Sequence, residues 1–261
     1  MSNYSNNTIV IIGAGNVATH LGIALHDIGY TISQVYSPTK KSAFTLAKLI
    51  GADAITKIKD INDAATFYIV AIKDDAIEGL VNQLNLKDKL IVHTSGSVAM
   101  NVLKKASKNY GVIYPLQTFS KNKIVDFKTI PLCIESNNAT SLKSILYFAK
   151  TINNNIHKIN SEQRKLLHLS AVFACNFSYY MYVIAEKLLS KNKLPFELLK
   201  PLIEETAMKI KDGSPAKMQT GPAVRNDKNT INAHLKLLNT DNNLKKIYKL
   251  LSESIIKDLS K

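Results

Sequence analysis

Short apolar runs alternate with segments of helical periodicity between residue 8 and about residue 158. Such alternation predicts an α/β domain whose mostly parallel, doubly wound sheet is covered by helices on both faces. The predicted strands are residues 9–12, 31–36, 67–72, 90–93, 112–114 and 132–134. The predicted helices are residues 16–28, 41–50, 75–84, 98–108 and 140–151.

Strand patterns stop near residue 160, and only helical signals follow. Side chains that accept backbone N–H groups, and a proline suited to a first turn, mark helix starts. These markers are Asn160 or Ser161, Pro195, Asp227 and Asp241. The helix from Pro195 is expected to end at Gly213. The chain is therefore predicted to divide into a Rossmann-type α/β domain, 1–158, and an all-helical domain, 159–261.

One segment, LLHLSAVFACNFSYYMYVIA at 166–185, has no charged residue and is long enough to cross a bilayer. Polar residues within it, among them His168, Ser170 and Asn176, would be costly in lipid. A helix that is apolar on all sides is otherwise one that protein surrounds. We therefore expect a central helix enclosed by its own domain and a second subunit, and no membrane contact.

The formal charge of +14 raises the possibility of nucleic-acid binding. However, the lysines are scattered, and no basic stripe interleaved with aromatic residues is present, so this is the weakest hypothesis. Of 34 basic residues, only Arg164 and Arg225 are arginine. In a chain that uses lysine elsewhere, an arginine indicates a position that needs a planar, bidentate guanidinium.

The first residues, MSNYSNN, contain neither a basic segment nor an apolar one. No secretory signal is predicted, and we expect a cytoplasmic protein. Cys133 and Cys175 are too few for a disulfide framework or a zinc site, so no metal is expected. Both are expected to be reduced thiols in the core.

The stretch GAGNVA follows the first predicted strand and opens the first predicted helix. Gly13 permits the tight turn, Gly15 lets a pyrophosphate approach the backbone, and Ala18 lets the helix pack closely on the sheet. Backbone N–H groups at the helix start then face the phosphates. The loop predicts a bound dinucleotide, with contacts from Gly13, Ala14, Gly15, Asn16 and Val17.

The second predicted strand indicates which dinucleotide is bound. An NAD site would carry Asp or Glu about 20 residues after the first glycine, and this chain has no acid there before Asp53. The strand continues into SPTKK, which favours NADP. The groups predicted to hold its 2′-phosphate are Ser37, Thr39, Lys40 and Lys41, and Tyr36 is also predicted to bind the cofactor. The alternative is that two lysines in a surface turn of a lysine-rich protein have no special role.

Two further strands end in polar turns. Ligands of open parallel sheets lie beyond the carboxyl ends of the strands. We therefore expect Ala71, Ile72, Lys73 and Thr94 to border the cofactor, while Asp75 is expected only to cap a helix.

Several longer motifs carry a family resemblance: IVIIGAGNVATHLGIAL, VAIKDDAI, VHTSGSV, GVIYPLQTFS, SEQRKLLHLSAVFACNF, LIEET and QTGPAVRND. Together they resemble Rossmann-like proteins with a helical C-terminal domain of unknown function, which carry the label of NADP oxidoreductases or coenzyme F420-dependent ones. More distantly, the chain is similar to pyrroline-5-carboxylate reductase and to the 6-phosphogluconate and β-hydroxyacid dehydrogenases. That resemblance implies a homodimer through the helical domain, with substrate bound between the two domains. No residue pattern specifies a deazaflavin pocket.

The dehydrogenases of that superfamily carry a Lys-x-x-x-Asn pair on the central helix, and this chain has His168 and Asn176 instead. Histidine exchanges a proton near neutral pH, and an amide can orient a carbonyl. Gln117 would orient the substrate as well, and Arg225 would anchor an anion beside a helix start. The alternatives are a buried histidine and asparagine bonded to neighbouring helices, and a structural ion pair for Arg225.

These observations support an NADP-dependent oxidoreductase that transfers a hydride between nicotinamide and a small carbonyl, imine or alcohol. His168 would supply the proton. The alternative is a dinucleotide-binding sensor or regulatory protein without chemistry, which the absence of the dehydrogenase lysine favours.

Overall fold

The computed structural model describes residues 8–120, 123 and 125–259. Its strands form one sheet in the order β3-β2-β1-β4-β5-β6-β7-β8. The strands are β1 (Thr8–Ile12), β2 (Thr31–Tyr36), β3 (Asp53–Ile55), β4 (Phe67–Val70), β5 (Lys87–His93), β6 (Ser107–Pro115), β7 (Leu132–Ser136) and β8 (Ile156–Lys158). All neighbouring strands run parallel except β6 and β7, which pair antiparallel.

Helices flank this sheet and make up the C-terminal part. They are α1 (Asn16–Asp27), α2 (Lys40–Ile50), α3 (Asp74–Val81), α4 (Ala139–Ile152), α5 (Ser161–Ala171), α6 (Ser178–Lys191), α7 (Lys200–Met208), α8 (Pro215–Met218), α9 (Lys228–Leu237) and α10 (Asn242–Leu259). The predicted fold class, a mostly parallel Rossmann-type sheet followed by helices, is confirmed.

Strand β1 lies inside the sheet and is apolar on both faces. Ile9 and Ile11 belong to the core cluster that includes residues of α1, α2 and α4. Val10 and Ile12, which point to the opposite face, belong to the cluster that includes residues of α3. Because the strand is buried on both sides, it shows a continuous apolar run and not an alternating pattern. The carboxyl end of β1, where the glycine loop begins, is thereby fixed between two packed layers.

Local signals set several boundaries as expected. Asn160 caps α5 in a capping box, accepting a bond from the backbone N–H of Gln163, whose side chain accepts one from the Asn160 N–H. Asp227 caps α9 by accepting from the backbone N–H of Thr230 at 3.0 Å. Both caps were predicted from residue type alone, and both are confirmed.

The predicted helix 98–108 is wrong. This segment forms a 3₁₀ helix, Met100–Lys105, and β6 begins at Ser107. The Ser107 hydroxyl donates to the Lys87 carbonyl at 2.9 Å, which joins the start of β6 to β5. The short strands β3 and β8, of three residues each, had no predicted counterpart.

Two compact units make up the chain, the first reaching to Tyr180 and the second beginning at Met181. In the second unit the described residues, 181–259, contain helices and no strand. The single helix predicted from Pro195 to Gly213 is divided into the 3₁₀ helix Phe196–Leu199, α7 and the 3₁₀ helix Lys209–Lys211. The division at residue 158, which was based on sequence, stays a prediction.

The apolar helix expected to be enclosed runs through α5, the π-helical segment Val172–Phe177 and α6. Its enclosure by this chain is wrong, because Arg164 is its only buried residue among those described. Cys133 is buried as expected, whereas Cys175 is exposed on this helix. The stretch Ser161–Lys191 is long and apolar enough to cross a membrane, but length and composition alone are weak evidence for a span.

Candidate functional site

A cleft of about 1090 Å³ lies in the first unit at the carboxyl ends of β1, β2, β4, β5 and β6. This is the edge at which open α/β sheets bind ligands, beside the point where strand order reverses from β1 to β4. Most of the predicted cofactor residues line it. They are Gly13, Ala14, Gly15, Asn16, Val17, Tyr36, Ser37, Ala71, Ile72, Lys73 and Thr94.

Gly13 makes the turn out of β1 in a conformation that other residues rarely adopt, with φ of +127°. Its backbone N–H donates to the Tyr36 carbonyl at 2.8 Å, which ties the turn to β2. A Cβ at this position would lie 2.1 Å from the Ala71 carbonyl oxygen, well inside contact distance. The turn therefore requires glycine.

Gly15 precedes the first turn of α1, and a Cβ there would meet no protein atom within 4 Å. Ala18 is fully buried against the core, so the start of α1 lies close to the sheet. The first N–H groups of any α-helix lack partners within the helix and carry its positive end. The open space beside Gly15, facing these groups, fits the diphosphate of a dinucleotide.

Three residues with hydroxyl groups line the cleft here, Ser37 and Thr39 in the turn after β2 and Ser42 in the first turn of α2. Ser37 is buried, and its Oγ accepts from the Thr39 backbone N–H at 3.3 Å. Lys40 and Lys41 are exposed in the first turn of α2 and are not among the residues that line the cleft. Of the four residues predicted to hold the 2′-phosphate, Ser37 and Thr39 line the cleft, whereas the two lysines do not.

The loop after β6 is fastened to α1. The Asn16 side-chain amide donates to the Phe119 carbonyl at 2.8 Å, and His20 Nε2 lies 2.9 Å from the Ser120 carbonyl. The rings of His20 and Phe119 are also in contact, with centroids 5.3 Å apart. This loop carries Gln117, which lines the cleft. Helix α1 thus holds in place the loop after β6, which carries Gln117 to the cleft.

His168, on α5, lines the same cleft as the glycine loop. Its Nδ1 lies 3.0 Å from the Tyr114 hydroxyl at the end of β6. The edge of one ring faces the other, with centroids 6.0 Å apart. The imidazole also packs against Gly96, in the turn after β5. The polar side of the cleft therefore presents a histidine supported by a tyrosine.

Arg164 lies one turn before His168 on α5 and is almost fully buried, at 1% exposure. The Nη1 atom of its guanidinium pairs with Glu135 of β7, and the Nη2 atom donates to the Val98 carbonyl and the Ser161 hydroxyl. These bonds anchor the first turn of α5 to the sheet and to the turn after β5. Arg164, one of the two arginines that the sequence singled out, is thus a structural anchor one helical turn from His168.

His93, at the end of β5, is fully buried. Its Nδ1 accepts from the Ser95 backbone N–H at 3.2 Å. Burial and the nearby charge of Arg164 lower the pKa of His93 to about 4. His93 is therefore neutral at physiological pH and supports the turn that lines the cleft.

The four predicted catalytic residues do not all meet. His168 and Gln117 line the cleft. Asn176 is exposed in the π-helical segment and does not line it, and Arg225 is exposed in the second unit before α9. Sequence reasoning missed Tyr114, Ser95 and Gly96, which do line the cleft. Their position at the ends of strands was the signal that could have identified them.

Two family models match the chain. Residues 8–97 match the model described as NADP oxidoreductase coenzyme F420-dependent. Residues 130–255 match a domain of unknown function, DUF2520. No curated protein matches the sequence.

Solved structures give a fuller comparison. A protein from Bacteroides fragilis, provisionally assigned as an NADP oxidoreductase, is 44% identical over 98% of this chain and 100% of its own, with a TM-score of 0.93. An imine reductase from Myxococcus stipitatus, in complex with NADP⁺, is 16% identical over 97% and 93% of the two chains, with a TM-score of 0.65. A 1-pyrroline-5-carboxylate reductase from Streptococcus pyogenes is 13% identical over 96% and 98%, with a TM-score of 0.61. The last two share the fold only.

Proposed function

Because this chain belongs to the family that joins an NADP oxidoreductase domain to a DUF2520 domain, we propose that it reduces or oxidises a small carbonyl, imine or alcohol with NADP(H). The observation that carries the proposal is that the glycine loop and His168 line one cleft. A nucleotide-binding turn and a group able to exchange a proton are the two requirements of hydride-transfer chemistry in such a fold.

The residues of the first unit divide the binding of the cofactor among them. The N–H groups at the start of α1 take the diphosphate, since the space beside Gly15 is open to them. Ser37, Thr39, Ser42 and the start of α2 take the 2′-phosphate, with Lys40 and Lys41 adding long-range positive charge. When bound, NADPH supplies the hydride that the protein itself lacks.

His168 supplies the proton to the oxygen or nitrogen of the substrate and takes it back in the reverse direction. Gln117, at the same cleft, orients that atom through its amide. We retain Asn176 as a further orienting group and Arg225 as an anion anchor, on sequence grounds alone. The substrate lies in this same cleft, beside His168 and Gln117.

Calorimetric titration of the purified protein with NADPH and NADH tests the first part of the proposal. We expect uptake of NADPH in preference to NADH. Turnover is then measured with a panel of aldehydes, keto acids and imines. Binding without any NADPH consumption across the panel would favour the sensor alternative.

A His168→Gln variant tests the proton donor. Loss of a general acid lowers turnover by about 10²–10⁴-fold. The affinity for NADPH should be unchanged, because the substitution leaves the glycine loop intact. Retention of full turnover by this variant would remove His168 from the mechanism.

We also propose that the protein is a homodimer that covers one exposed side of the helix formed by α5, the π-helical segment and α6. Apolar side chains repeat there at intervals of three and four residues, at Leu166, Leu169, Phe173, Phe177 and Tyr180, each between 46% and 62% exposed. A stripe with this spacing is typical of helix pairing. In a cytoplasmic enzyme no bilayer is available to cover this apolar stripe, and a second copy of the chain would shield it from water.

Sedimentation tests the dimer. A Phe173→Glu variant should sediment as a monomer, since it places a charge in the stripe. Phe44→Glu is the matched control, because Phe44 is an equally exposed phenylalanine, at 62%, on α2. A monomeric wild-type protein, or one that requires detergent for solubility, would contradict the proposal.

A further inference from the structure

We propose that Tyr114 and Gly96 are positioning residues that orient His168 so that its Nε2 is the proton-transferring atom. This inference rests on the proposed function, in which His168 supplies the proton. Tyr114 acts through a hydrogen bond to the other ring nitrogen, and Gly96 acts by leaving space for the ring. Neither residue was selected by sequence reasoning.

Tyr114 occupies a rigid position. It lies in the antiparallel pairing of β6 with β7, opposite Cys133, and it is 9% exposed. Its hydroxyl reaches His168 Nδ1 at 3.0 Å, and the two rings meet edge to face. A side chain held by the sheet thus fixes one nitrogen of a side chain held by a helix.

The hydroxyl group suits a partner that changes its protonation state. Its oxygen accepts from Nδ1–H of the imidazolium and, after Nε2 has given its proton to the substrate, from Nδ1–H of the neutral imidazole, so that the hydrogen bond persists in both states. Burial raises the pKa of Tyr114 to about 12, so the phenol keeps its own proton at neutral pH. Because this bond holds the remaining imidazole proton on Nδ1, Nε2 is the nitrogen that gives its proton to the substrate and takes it back.

The other nitrogen of His168 remains available. Among the residues that the structure describes, none forms a hydrogen bond with His168 Nε2. The ring lines the cleft. A ring nitrogen that carries a proton, lines a cleft and lacks a protein partner is the arrangement needed for transfer to a substrate.

Gly96 makes the space that the ring occupies. A Cβ on Gly96 would lie 2.7 Å from both Cγ and Nδ1 of His168 and 3.0 Å from its Cβ. The backbone of Gly96 does not lie in the left-handed region, so alanine can adopt this backbone conformation and only its methyl group would clash. The expected effect of alanine is therefore displacement of the imidazole, with loss of its bond to Tyr114.

The first experiment compares Tyr114→Phe with wild type. Nitrogen-15 NMR of the histidine side chains reports whether the proton is on Nε2 or Nδ1. We expect the neutral wild-type His168 to carry it on Nδ1, held there by Tyr114, and the variant to show a mixture. Turnover should fall about tenfold, as one neutral hydrogen bond is lost, with NADPH affinity unchanged.

The matched control is Tyr110→Phe, which removes a hydroxyl from the same strand at a half-buried position outside the cleft. It should change neither the tautomer nor turnover. An unchanged tautomer in Tyr114→Phe would overturn the role of Tyr114. An equal change in the two variants would do the same, because it would indicate a general effect of altering β6.

The second experiment places Gly96→Ala in wild type and in His168→Ala. We expect about a tenfold fall in turnover in wild type and no further fall when His168 is absent, since the added methyl then meets no ring. Equal falls in both backgrounds would overturn the role of Gly96 as a spacer for the imidazole.

The two proposals fail in distinguishable ways. If no substrate in the panel is consumed, the proposed function fails, yet the tautomer measurement still decides whether Tyr114 orients His168. If turnover is found and both variants retain it with the wild-type tautomer, the positioning inference fails and the proposed function stands.

Discussion

Arg164 and Glu135 form a buried ion pair that joins the first turn of α5 to β7. Arg164 also donates to the Val98 carbonyl, beyond the turn that lines the cleft. One helical turn separates Arg164 from His168, so both lie on the same side of α5. The ion pair between Arg164 and Glu135 therefore fixes the position of His168 relative to the sheet.

Neutralising the carboxylate should destabilise the protein. In Glu135→Gln the buried guanidinium loses its counter-charge, which we expect to lower the free energy of unfolding by about 3 kcal/mol. Urea denaturation measures the loss.

The control for this prediction is the pair Lys165–Glu162 on the same helix, whose side chains are 43% and 81% exposed. Glu162→Gln should change stability by less than about 1 kcal/mol. Equal effects of the two substitutions would contradict the structural role of the buried pair.

Alanine substitutions of the two glycines in the glycine loop should have different effects on stability and on NADPH binding. Gly13→Ala meets the Ala71 carbonyl and strains a backbone with φ of +127°, so we expect a loss of stability as well as of NADPH binding. Gly15→Ala should keep the stability of wild type and lose NADPH affinity, because its methyl enters the open space beside the start of α1. Thermal denaturation and calorimetric titration separate the two effects. A Gly15→Ala variant with wild-type affinity would place the diphosphate elsewhere.

Selectivity for NADP should depend on the turn after β2. Ser42→Asp places a negative charge at the cleft, and we expect it to weaken NADPH binding at least tenfold while NADH binding changes little. Lys40→Ala with Lys41→Ala should have a smaller effect, lost at high salt, since both lysines are exposed. Titrations with both nucleotides test this. The hydroxyl assignment would be wrong if the lysine variant had the larger effect.

Stability should fall in acid because of His93. Above pH 6.5 this histidine is neutral in both the folded and the unfolded chain. Between pH 6.5 and about 4 the unfolded chain binds a proton that the folded one excludes, so stability falls as the pH falls. The loss reaches about 3 kcal/mol near pH 4 and does not grow below it.

His93→Gln serves as the comparison, because it removes the titrating group. The difference between the unfolding free energies of wild type and variant, measured by urea denaturation from pH 7.5 to 4, isolates the histidine from the carboxylates. A difference that is independent of pH would show that folding leaves the pKa of His93 unshifted.

Much of the first unit could be read from sequence because its signals are local. The apolar run before Gly13, the absence of an acid after β2 and the cap at Asn160 each depend on residues adjacent in the chain. The 3₁₀ helix Met100–Lys105 could not be predicted in this way, because a contact with distant β5 through Ser107 limits its length.

In the candidate site, too, the residues marked by local sequence could be predicted, and those that depend on distant contacts could not. His168 was found from residue type on a helix, and the glycine loop from a motif. Tyr114 and Gly96 owe their importance to a side chain more than 50 positions away along the chain, as the separation of 54 residues between Tyr114 and His168 shows. The role of Arg164 as an anchor likewise depends on Glu135, which no sequence pattern pairs with it.

The bonds from Asn16 and His20 to the Phe119 and Ser120 carbonyls connect the dinucleotide helix to the loop that carries Gln117. A loop transferred from a relative to change substrate preference would lose these two hydrogen bonds unless residues 16 and 20 also matched the new loop. Engineering of substrate preference would therefore have to exchange the loop together with the residues of α1 that bind it.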